Sequence, residues 1–117
     1  MIMGEEIKEI LLINVKEYFK NALASEKKEE YNTSVTLFFK ALSSLCDLYI
    51  LEKEGIVPSN HAERFRILET KHKDIYRIID KDFPFYQDSY KARLNKETSN
   101  MLNNDARKLF EILNIDM

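Results

Sequence analysis

The chain reads as an all-α protein, one domain over residues 1–117 folded as an antiparallel bundle of about five helices, four in the core and one short. Three observations carry this. Only two glycines and two prolines occur in the 117 residues, too few punctuators for a turn-rich β-fold. Apolar residues recur at three- and four-residue spacing over most of the length, the period of an α-helix. The most apolar stretch carries Tyr31, Val35, Phe38, Phe39, Leu42, Leu45, Cys46, Tyr49 and Leu51 over more than half its circumference, which predicts a central helix packed on several sides.

The first helix is expected from about Glu5 to Glu29, with Ile7, Ile10, Leu11, Val15, Tyr18, Phe19, Ala22 and Leu23 as its buried stripe. Glu5 and Glu6 suit its positive N-terminal end. It runs out in the solvated charges Ser25-Glu26-Lys27-Lys28-Glu29-Glu30. The second helix begins at Tyr31 and ends near Glu54, where Gly55 can take the left-handed cap and Pro58 prevents resumption. Asn60 with Glu63 resembles a capping box and opens a third helix. That helix carries the stripe His61, Phe65, Leu68, His72, Ile75 and Ile79 and should stop near Asp80, because Phe83 precedes Pro84. Pro84 then opens a short fourth helix through Phe85, Tyr86, Tyr90 and Leu94. Thr98 or Ser99 caps the fifth, which buries Leu102, Ala106, Leu109, Phe110 and Leu113. Helices one, two, three and five are expected to carry the core.

Composition narrows the function. Hydrophobic residues at 44% and charged residues at 32% are the balance of a soluble globular protein. A net charge of −2 and a pI near 5.7 exclude a general duplex-DNA binder, whose affinity rests on a basic excess. No uninterrupted apolar run reaches the roughly 18 residues of a membrane span. The opening Met1-Ile2-Met3-Gly4-Glu5-Glu6 turns acidic at once, unlike a signal peptide. The single cysteine, Cys46, lies on the apolar helix and reads as a packing thiol, so the cytoplasm is the expected compartment.

Chemistry-bearing motifs are few. No metal and no cofactor are expected: along a continuous helix His61 and His72 would stand about 16 Å apart, and no cysteine or close carboxylate completes a ligand set. His61 reads as a helix-start residue and His72 as a partly buried structural one. Ser25, Ser59 and Ser89 lack a glycine-bounded elbow, and two glycines cannot build a phosphate-cradling loop. The basic residues say more. Arg64, Arg66, Lys71, Lys73, Arg77 and Lys81 form one run, and Lys91, Arg93, Lys96, Arg107 and Lys108 another, opposed by Glu97 and Asp105. The two runs either face each other across a modest positive cleft, with Tyr86 and Tyr90 as stacking surfaces, or form a mixed-charge solvated surface.

The order Tyr31-x3-Val35-x2-Phe38-Phe39-x-Ala41, then Leu48-x2-Leu51-x3-Gly55-x2-Pro58-x2-His61-x3-Phe65, resembles the small stand-alone prokaryotic branch of the HEPN (higher eukaryotes and prokaryotes nucleotide-binding) domain. Tyr90-Lys91-Ala92-Arg93 before a capped last helix is similar to the family's later segment. The resemblance implies a helical protein that self-associates as a homodimer. It would bind a nucleotide, a short RNA or a nucleotidyltransferase partner in a toxin–antitoxin-like system. Carried onto this chain, Arg93 meets phosphate or a partner carboxylate, Tyr90 stacks, and Tyr86 and Lys96 complete the site.

Catalytic family members cleave RNA with an arginine followed four to six residues later by a histidine. Arg66 and His72 have that spacing, which leaves open a metal-independent ribonuclease acting across a dimer. On one straight helix, however, the two side chains would diverge by about 120°, and no histidine follows Arg93. The expectation is therefore a non-catalytic protein. A plain helical interaction module is the remaining alternative, with Phe83, Phe85 and Tyr86 as its apolar patch.

Overall fold

Helices α1 (Gly4–Lys27) and α2 (Tyr31–Glu54) form an antiparallel hairpin in the computed structural model, which describes residues 4–117. Met1, Ile2 and Met3 of the acidic opening lie outside the described residues. At a rise of about 1.5 Å per residue the two 24-residue helices account for the molecule's 39 Å long dimension. Three further helices follow: α3 (His61–Lys71), α4 (Lys73–Asp88) and α5 (Lys96–Ile112). The described residues contain no strand, and the five helices make the expected all-α bundle.

Only α2 packs against all four other helices. Val35, Phe38, Phe39, Leu42, Leu45, Cys46 and Ile50 form its buried centre line, and Ala41, Leu48, Ser43 and Asp47 widen the buried arc to roughly 260° of the circumference. Over its most apolar 18-residue window, α2 has a mean hydropathy of 1.4, enough by length and composition to cross a membrane, yet 67% of that window is buried inside the protein. Phe19 of α1 meets Phe38 of α2 at 5.6 Å and Phe110 of α5 edge-on at 5.0 Å, so one ring ties three helices. Cys46 is fully buried, and burial raises its thiol's pKa far above the usual range.

The helix ends follow local chemistry. Glu29, not a glycine, takes the left-handed conformation after α1 (φ 63°), and Glu30 N–H reaches back to the Ser25 carbonyl at 2.9 Å. This six-to-one bond stops α1 at Lys27, two residues short of the expected end. Gly55 caps α2 with φ 76°, its N–H bonding the Leu51 carbonyl. Asn60 caps α3, its side-chain oxygen accepting from Glu63 N–H at 2.9 Å.

Four expectations need correction. The third helix does not run through to Asp80: it breaks at His72 (φ −140°, ψ 65°), dividing the stripe between α3 and α4. At the break Glu54 of α2 holds the His72 ring nitrogen at 2.8 Å and Lys71 at 3.2 Å, tying both residues to α2. The His72 bond, and secondarily Lys71, hold the Glu54 carboxyl below its usual range. Second, Pro84 lies inside α4 rather than opening a helix, and Tyr90 and Leu94 fall outside any helix. Pro84 and Asp80, whose carbonyl loses its partner, both face solvent, so water can satisfy that carbonyl. Third, α5 starts at Lys96 under an Asn95 cap whose Oδ1 accepts from Thr98 N–H at 3.0 Å; Thr98 and Ser99 are inside the helix. Finally, Ile10 is 48% exposed instead of buried, because only α2 and α5 cover α1.

At Gly55 an added methyl group would meet no atom within 4 Å, so a substitution there tests the left-handed conformation alone. Gly55→Ala is expected to cost about 1 kcal/mol, a fall of roughly 4 °C in Tm by calorimetry, with the helical circular-dichroism signal retained.

Candidate functional site

An aromatic column rises from the core to the surface beside the turn that joins α4 to α5. At its base Phe39 of α2 is buried. Tyr86 stacks on it with ring centroids 4.6 Å apart and planes 18° from parallel. Tyr90 stands edge-on to Tyr86 at 5.6 Å, and the two hydroxyls meet at 2.9 Å. That hydroxyl contact, with burial second, pushes the Tyr86 pKa up to about 12, so Tyr86 stays neutral at physiological pH. Tyr90 is nevertheless 71% exposed and presents an open ring at the top.

The loop beyond Tyr90 is held by one side chain. Asn32, in the first turn of α2, donates from Nδ2 to the carbonyls of Ser89 (3.0 Å) and Ala92 (2.6 Å), while its Oδ1 accepts from Leu94 N–H (3.0 Å). Thr36, one turn along, donates to Ser89 Oγ at 2.8 Å. The residues on both sides of Arg93 are thereby fixed to α2. Arg93 and Lys96 are exposed, and neither forms an ion pair among the described residues. Of the expected site residues, the structure brings Tyr86 and Tyr90 into contact and sets Arg93 and Lys96 on the adjoining loop and helix start.

Arg66 and His72 do not make a pair. Arg66 is exposed on α3. His72 lies at the α3–α4 break, mostly enclosed, bonded to Glu54 and edge-on to Tyr49 at 5.0 Å. Its ring serves as a fastener between α2 and the break.

His61 has a role not seen in the sequence. Arg64 of α3 grips Asp47 of α2 through two parallel bonds, Nε to Oδ1 at 2.7 Å and Nη2 to Oδ2 at 2.9 Å, in a nearly closed interface. Its Nη1 lies 2.7 Å from His61 Nδ1. A guanidinium has only protons to offer, so Nδ1 accepts and the imidazole proton resides on Nε2. Partial burial first, and the Arg64 charge second, lower the His61 pKa. His61 is thus a neutral hydrogen-bond donor about 6.1 Å from the Tyr86 ring, poorly suited to act as a base. The sequence signal was Asp47, a carboxylate set into the most apolar helix, where an unpaired charge is untenable.

A second polar cluster lies between α4 and α5. Asp82 is fully buried and Asp105 nearly so. Lys81 reaches Asp105 at 3.0 Å and Lys108 at 3.5 Å. Burial, then the bond and charge of Asp105, push the Asp82 carboxyl up to about 9. It holds its proton at neutral pH beside Asp105. Enclosed as it is, this pair acts on stability rather than on a ligand.

Set against known protein families, curated proteins and solved structures, the chain matches no family model, no curated protein and no solved structure. The chemistry of the site is carried by its own residues.

Two outcomes are expected. Asn32→Ala removes three bonds to the loop and should cost about 2 kcal/mol, with faster amide exchange at Leu94 and little change in the α1 amides. For Asp82 the folded pKa lies above the unfolded one, so its contribution is complete below about pH 4 and is lost as pH rises through about 9. Asp82→Asn should therefore melt higher than the parent at pH 8, by on the order of 2 kcal/mol, with the gap closing at pH 4 in a series of thermal melts.

Proposed function

We propose that this is a non-catalytic, HEPN-like binding protein that takes a nucleotide or an unstacked base of a short RNA at the Tyr90 column. The carrying observation is an open aromatic ring, bonded through its hydroxyl to Tyr86, beside a clamped loop whose arginine has no ion-pair partner among the described residues. Stacking on a tyrosine face is worth about 1–3 kcal/mol per base and tolerates any base. Arg93 and Lys96 supply the charge for phosphate, and His61 Nε2–H a donor at the edge of the column. Because Asn32 holds the loop before binding, little ordering entropy is lost when a ligand arrives. The acidic net charge fits a small local site better than a track along a duplex.

A nucleotidyltransferase partner presenting a carboxylate to Arg93 would use the same surface. The ribonuclease alternative draws less support, since His72 is engaged by Glu54 and Arg66 stands apart from it.

Fluorescence anisotropy with a labelled ten-nucleotide oligouridylate, and calorimetric titration with ATP, test the proposal. Saturable binding is expected for at least one of them. Tyr90→Ala and Arg93→Ala should each weaken it by roughly 5- to 30-fold, with Tm moved by less than about 1 °C because both side chains project outward. Absence of binding to either ligand, or binding indifferent to both substitutions, would overturn the site. Cleavage of the oligonucleotide that is lost in His72→Ala would reinstate the hydrolytic alternative.

A further inference from the structure

On the far side of α5 from the Lys81–Asp105 pair, a pocket of about 590 Å³ opens between α1 and α5. Phe19, Leu23 and Phe110 form its apolar floor, and Lys16, Lys20 and Arg107 are its charged wall. Met117 completes the lining, and among the described residues no Asp or Glu side chain takes part in it. Among the described residues none of these three cations has an ion-pair partner.

Arg107 is the informative residue, because it is half-buried and held in place without a counter-ion. Its guanidinium carbon sits 5.3 Å from the centre of the Phe19 ring. Its Nε donates to Asn103 Oδ1 at 2.8 Å. Asn103 in turn donates from Nδ2 to Glu26 Oε1 at 3.0 Å, which fixes the amide with its oxygen toward Arg107. Glu26 Oε2 accepts from Ser99 Oγ at 2.6 Å, and Ser99 Oγ meets Ser34 Oγ at 2.6 Å. A chain of polar contacts through α1, α2 and α5 therefore orients the guanidinium while keeping the Glu26 carboxylate occupied elsewhere. The outward face of Arg107 is left with Nη1 against the Met117 sulfur at 3.5 Å. A thioether is a weak acceptor on a flexible side chain, readily displaced by an oxygen anion.

From this geometry we infer that the α1–α5 pocket is a binding site for a small amphiphilic anion: a carboxylate, sulfonate or phosphate monoester on an apolar body. The anionic head takes the two Nη groups of Arg107 with Lys20 and Lys16 beside it, the pairing for which a planar guanidinium is suited. The apolar body lies along Phe19, Leu23 and Phe110. The volume falls within the range of small-molecule sites. A bare inorganic anion would leave the apolar floor uncovered, so the body contributes to affinity. This site is independent of the Tyr90 column.

The probe is anilinonaphthalene sulfonate, titrated into the intact protein and followed by fluorescence and by the amide resonances of Phe19 and Phe110. One-to-one saturation with both resonances shifting is expected. Decanoate should displace the probe, and inorganic phosphate should compete at least tenfold more weakly. Arg107→Gln and Lys20→Gln should each weaken binding by about tenfold, whereas Tyr90→Ala leaves it unchanged. Lys20 is exposed, so that variant reports on the site even if Arg107→Gln perturbs folding. Non-saturating fluorescence, or binding untouched by Lys20→Gln and Arg107→Gln, overturns the site. Phosphate competing as well as decanoate overturns the amphiphile in favour of a simple anion.

Discussion

A helix buried over more than half of its circumference has to be enclosed, and that requirement at α2 organises the rest of the molecule. With Val35, Phe38, Phe39, Leu42, Leu45, Cys46 and Ile50 all buried, no single partner helix suffices. The chain meets the demand by laying α1 along one side, α5 along another, and the α3–α4 pair over what remains. The same helix then acts as the reference frame for four polar side chains and their partners. Asn32 and Thr36 position the α4–α5 loop, Asp47 receives Arg64, and Glu54 fastens the break at His72. Each of these four side chains lies on α2, and each partner lies at least seventeen residues away in sequence.

That arrangement explains what could be read from the sequence. Features governed by neighbours along the chain were legible: the circumference of α2, the left-handed Gly55, the Asn60 cap. The Asn95 cap was legible too, since an asparagine three residues before Thr98 has the same pattern as Asn60 before Glu63, but the hydroxyl residues drew the assignment instead. Features governed by contacts across the fold were not. The stripe from His61 to Ile79 is continuous at helical spacing, and nothing local announces the break at His72, where Glu54 of α2 is bonded. The restraint Pro84 places on Phe83 points to a helix start, whereas the strong amphipathic stripe of α4 keeps the helix going with proline on the wet side.

The candidate site was legible in part. Tyr86, Tyr90, Arg93 and Lys96 were named from their types and from the resemblance, and the structure sets the two tyrosines in contact with the basic residues close by in the chain. Asn32, which gives the loop its shape, was invisible because its partners are backbone atoms some sixty residues later. Asp82 was hidden for a different reason. It continues the Ile75–Ile79 stripe at the next turn, a position that should be apolar, and it occupies that place as a carboxyl kept protonated by burial first and by the nearby Asp105 second. Spacing alone identifies the anomaly without identifying the partner.

The burial of Cys46 has a consequence of its own. Its sulfur is walled in by the helices that α2 requires around it, and burial holds it as the unreactive thiol. An oxidant or alkylating agent can reach it only in molecules whose bundle has opened. The chain therefore carries a built-in record of its own opening: in a population left under oxidising conditions, the modified fraction counts the molecules that have come apart at least once.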